Sequence, residues 1–80
     1  MKKGEQTTMS WTMDAVFEYL TKTRPIRTEG EYVGYAEIVN GIEKATGIRR
    51  SRHAVAFAIE RLCKIGKLGI WDNKLHVIGA

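Results

Sequence analysis

At Gly66 the hydrophobic repeat of this chain changes period, and that change constrains the fold more than any other feature. Before it, Val55, Ala58, Ile59 and Leu62 recur at helical spacing and define one apolar face. After it, apolar residues alternate through Leu68 and Ile70, and again through Leu75 and Val77. Ser51 has a side chain suited to capping a helix N-terminus, and Gly66 is suited to ending one. The spacing therefore predicts a helix over 51–65 and a hairpin after it. A two-residue turn at Asp72-Asn73 tolerates positive backbone angles. It pairs Trp71 with Lys74, Ile70 with Leu75, Gly69 with His76 and Leu68 with Val77. In that register Leu68, Ile70, Leu75 and Val77 share one face. Lys67, Gly69, Trp71, Lys74, His76 and Ile78 share the other. A one-residue slip would scramble this sorting. An isolated hairpin is barely stable in water, so its apolar face must lie against helices.

Two more helices precede this unit. Met13, Val16, Phe17 and Leu20 form one face of a first helix, which starts near Ser10 or Thr12 and fades before Pro25. Trp11 is placed to fold over the end of that face. A second helix fits 35–46, with Ile38, Ile42 and Ala45 on one stripe and Val39 at its edge. Asn40-Gly41 is its weak point, because glycine costs about 1 kcal/mol relative to alanine inside a helix. Gly47 supplies its C-terminal cap. Between these helices, Tyr32 and Val33 form a very short strand. Residues 1–8 are polar and aperiodic and read as a flexible N-terminal tail; 9–80 make one domain. The fold class is mainly α with a small β hairpin, in the order helix, short strand, helix, helix, hairpin.

Composition narrows the function. Eighty residues make a core near the lower limit for independent folding, with little room for a deep catalytic pocket. No apolar run approaches the ~20 residues of a membrane span, and the N-terminus lacks the apolar stretch of a secretory signal. The single cysteine, Cys63, has no internal disulfide partner. These features point to a cytoplasmic protein. Cys63, His53 and His76 lack zinc-site spacing. No nucleophile motif, glycine-rich phosphate loop or paired-carboxylate arrangement is present, so neither an enzyme nor a cofactor is expected. The net charge is +4, unevenly spread. Residues 44–74 hold eight basic and two acidic residues, and residues 1–43 hold five basic and seven acidic. A basic half on a nearly neutral chain suggests a polyanion-binding face.

The segment from Ser51 to Leu68 carries a more specific pattern. Ser51, Arg52, Val55, Ala58, Leu62, Gly66 and Leu68, with Ile59 at a leucine position, resemble the helix signature of bacterial winged helix-turn-helix regulators of the GntR type. The resemblance covers about 18 residues at motif level and roughly 10–79 at fold level. It implies a winged helix-turn-helix that places the 51–65 helix in the major groove of double-stranded DNA, as a sequence-specific transcriptional regulator acting as a dimer. Arg52 and His53 would then reach base edges or phosphates. Arg49 and Arg50 in the preceding turn, with Arg61 and Lys64, would hold the backbone; Lys67 and Lys74 would add contacts from the wing. Ser51 lies at the helix N-terminus, where amides and dipole favour phosphate. These cations are expected to converge on one convex ridge.

Phe57 admits two roles, since an aromatic on the outer helix face can touch a thymine methyl or join Trp71 in a protein interface. The alternative function is accordingly a winged-helix protein–protein adaptor in a replication, packaging or regulatory complex.

Overall fold

The computed structural model describes residues 8–78. It contains three helices, α1 (Met9–Glu18), α2 (Tyr35–Thr46) and α3 (Arg52–Lys64), followed by β1 (Leu68–Trp71) and β2 (Lys74–Val77). The tail and domain limits at residues 1–7 and 79–80 lie outside the described residues.

Thr8 starts α1, not Ser10 or Thr12. Its hydroxyl accepts from the Trp11 amide at 3.1 Å, and its carbonyl accepts from the Thr12 hydroxyl at 2.9 Å. The helical run ends at Thr23, before Pro25 as expected. It widens into a π-helical turn, Tyr19–Thr23, in which the Arg24 amide donates to the Tyr19 carbonyl at 2.8 Å. The Thr21 hydroxyl donates to the Phe17 carbonyl at 2.7 Å, competing for a normal helical acceptor. Pro25 then ends the run. Val16 and Leu20 are fully buried as their spacing predicts, and Thr12 and Tyr19 join them.

The second helix does not break at Gly41. A Cβ at that position would overlap the Tyr19 ring, so the missing side chain is what lets α2 approach the end of α1. Ile38, Val39 and Ile42 are buried, whereas Ala45 is exposed. The apolar stripe is therefore rotated toward Val39. Gly47 closes α2 at φ 78°, donating to Glu43 O at 2.7 Å.

α3 packs chiefly against α1, with α2 on a second flank. The Ser51 hydroxyl accepts from the Ala54 amide at 3.0 Å, and Val55, Ala58, Ile59 and Leu62 are buried. The Lys67 amide donates to Leu62 O at 3.0 Å, folding the chain sharply into β1. The hairpin has the register derived from its turn, with Asp72 at φ 56° and Asn73 at φ 60°. Both angles are positive, as the favoured two-residue turn requires.

The short strand expected at Tyr32 and Val33 does not form. Glu31 alone bridges Leu75: its amide donates to Leu75 O at 3.0 Å, and the Leu75 amide donates back at 2.8 Å. Gly34 is already the N-cap of α2, so the chain must leave the sheet edge within three residues. Val33 turns into the core, and Tyr32 stays 77% exposed.

Face sorting in the hairpin is partly reversed. Leu68 and Leu75 are buried as expected, but Ile70 is 54% exposed. His76, expected outside, is only 7% exposed. Its ring stacks on Trp71 with centroids 3.6 Å apart and planes at 9°. On its other side lies Gly30, at φ 90°, where a Cβ would overlap the imidazole. The Glu31 bridge lays this turn over the outer face, which explains the burial.

Candidate nucleic-acid interface

Two adjoining grooves meet at Tyr35 and Ile70, one along α3 and the other between the 32–36 segment and the hairpin, with Arg52 of α3 also lining it. One, of 640 Å³, is lined by Tyr32, Arg52, Asn73 and Lys74, among others. The second, of 540 Å³, is lined by His53, Ala56, Phe57, Glu60 and Cys63. The first turn of α3 sets Arg52 and His53 at the groove because Ser51 fixes the helix start. The tight Asp72-Asn73 turn sets Lys74 opposite them. Phe57 follows His53 by one helical turn and is 45% exposed. The Arg61 guanidinium lies over the Phe57 ring, 5.7 Å from its centroid.

Arg52, His53, Phe57, Arg61 and Lys74 thus share one face. Arg52, Arg61 and Lys74 have no carboxylate partner among the described residues. Lys64 is exposed near the end of α3, and it too has no ion pair among them. The remaining cations do not converge on the same ridge. Arg49 donates to Glu43 at 2.7 Å and to Asn40 at 3.1 Å, both on α2. Arg50 donates through Nε to the hydroxyl of buried Thr12 at 3.0 Å, tying the turn to α1. The Lys67 ammonium stands over the Phe17 ring at 5.1 Å, also on α1. Ser51 commits its oxygen to capping α3.

The acidic half of the chain is organised separately. Arg24, at the end of the π turn, reaches Glu31 at 2.7 Å and Glu37 at 2.6 Å. The Arg24 hydrogen bond holds the Glu31 carboxyl below its usual range, against a small opposing effect of burial. The same bond raises the Arg24 guanidinium pKa. Burial, then the Glu37 charge, pushes the Tyr19 phenol up. Cys63, beside the second groove, is likewise pushed up by burial and then by Glu60. That thiol is poorly set for nucleophilic chemistry.

Sequence reasoning missed Tyr35 and Ile70 as groove residues. Ile70 carried no local signal: it alternates with Leu68 as a buried residue would, and its exposure is set by packing. Among the described residues no cluster of three or more His, Cys, Asp or Glu side chains is placed to hold a metal ion. No helix there is long and apolar enough to cross a membrane. No protein-family model, curated protein or solved structure matches this chain.

Proposed function

We propose that the chain is a winged-helix protein that binds double-stranded DNA, with α3 in the major groove and the hairpin as a short wing. The Glu31 bridge stands in for the third strand of that arrangement. One observation carries the reading: Arg52 and Lys74, from the α3 N-terminus and the wing, line one groove, and neither has a carboxylate partner among the described residues. Cations left unpaired on one concave face suit a polyanion, because the charge is not already neutralised within the fold. The biological role that fits best is sequence-specific transcriptional regulation by occupancy of DNA. Binding as a homodimer would double the contacts and impose a half-site spacing.

Selection of bound sequences from a random duplex pool tests this directly. The wild-type protein is expected to enrich a motif, and Arg52→Ala is expected to lose it. Absence of duplex binding at low salt would overturn the reading.

A second reading, the protein–protein adaptor, draws on the exposed apolar side chains Ile65, Trp71 and Ile78. Trp71 and Ile78 lie together over Gly69 on the outer face of the hairpin, away from the groove. That strip is also the candidate dimer surface. The adaptor reading expects Trp71→Ala to disrupt assembly while Arg52→Ala has no effect.

A further inference from the structure

The face that holds Arg52 and Lys74 is not uniformly basic. Its floor is apolar, made by Ala56, Phe57 and Ile70 with the Tyr35 ring. Cations stand on both sides of it. Arg52 and Lys74 flank one end, and Arg61 lies against Phe57 on the other. Glu60 lines the same groove as Phe57, exposed and without an ion pair among the described residues. A phosphate is repelled from a position beside Glu60, so the groove at Phe57 is unsuited to backbone contact. Base edges suit it. Adenine N6 and cytosine N4 are amino donors to a carboxylate, and the one apolar group in the major groove is the C5-methyl of thymine.

We propose that this face recognises the thymine C5-methyl group, with Phe57 as the specificity-determining residue. The proposal rests on the duplex-binding reading above and adds the chemical group that is read. The Arg61 guanidinium lies over the Phe57 ring, and the residue stays 45% exposed. Phe57 is exposed in the protein alone, so covering it against a methyl removes apolar surface from water.

The test uses the tightest-binding duplex recovered from the random pool and a copy with every thymine replaced by deoxyuridine, which removes only the methyl groups. Titration by fluorescence anisotropy is expected to show about a fourfold loss of affinity per contacted methyl, the worth of burying one such group. Phe57→Ala is expected to bind both duplexes alike, and Phe57→Leu to keep the preference. Wild-type protein that binds both duplexes equally overturns this proposal and leaves the duplex-binding reading intact. Failure to bind either duplex overturns both. A Phe57→Ala variant that retains the preference but changes sedimentation behaviour assigns Phe57 to a protein interface and also overturns the proposal.

Discussion

The two faces of the hairpin have opposite fates. The outer face is covered at His76, by the Gly30 turn and the stacked Trp71 ring, while Trp71 and Ile78 over Gly69 stay half exposed. On the inner face Leu68 and Leu75 are buried, whereas Ile70, directly across from Leu75, is 54% exposed. Ile70 opens into the grooves beside Arg52 and Phe57. Apolar patterning decides which residues alternate. Packing by distant elements decides which of them are covered. The same division separates the cations. Arg24, Arg49, Arg50 and Lys67 have partners within the fold, whereas Arg52 and Lys74 face the open groove.

Substitutions on the closed face should cost stability, and those on the open face should not. The largest effect is expected at Gly30→Ala. That substitution forces a side chain into a positive-φ position and into the His76 ring. Left-handed strain and overpacking together should cost about 3 kcal/mol, a Tm loss of roughly 15 °C by calorimetry. An unchanged Tm would mean that the Gly30 turn does not rest on His76. Next is Arg50→Ala, which removes the guanidinium bond to buried Thr12 and should lower stability by about 1.5 kcal/mol in urea unfolding. A loss no larger than that of Arg52→Ala would erase the distinction between the two arginines.

A smaller effect should follow pH. The Glu31 carboxyl titrates below its usual range because of Arg24, so its contribution is present above the unfolded value of about 4.3. It is lost as pH falls through the depressed value. The urea midpoint should drop as pH falls below about 4.3, and Glu31→Gln should flatten part of that drop. Equal slopes for the two proteins would remove Glu31 from the account. Smallest of all, Ile70→Ala should change stability by no more than about 0.5 kcal/mol, since its side chain is already half in solvent.

What the sequence made legible was local. The α3 stripe, the Ser51 cap, the Gly47 and Gly66 stops and the hairpin register each depend on residues a few positions apart. The Asp72-Asn73 turn and the alternating pattern specify the same pairing, so the register was over-determined. What stayed hidden depends on distant partners. Arg50 bonds a residue 38 positions away, and no local pattern separates it from Arg52. Gly41 looked like a helix breaker because its reason, the Tyr19 ring, belongs to another element. The sequence alone places the start of α1 at Ser10 or Thr12 rather than at Thr8, because all three residues can cap a helix. The π turn at Tyr19–Thr23 is likewise not recorded by apolar periodicity.

The salt dependence of duplex binding tests the central division most directly. Each lost phosphate contact should lower the magnitude of the slope of log K against log salt by about 0.9. Lys74→Ala should therefore lose close to one contact, while Arg49→Ala/Lys67→Ala should keep the wild-type slope. Equal losses in both variants, or a loss confined to the second, would contradict the placement of DNA in the groove between α3 and the hairpin.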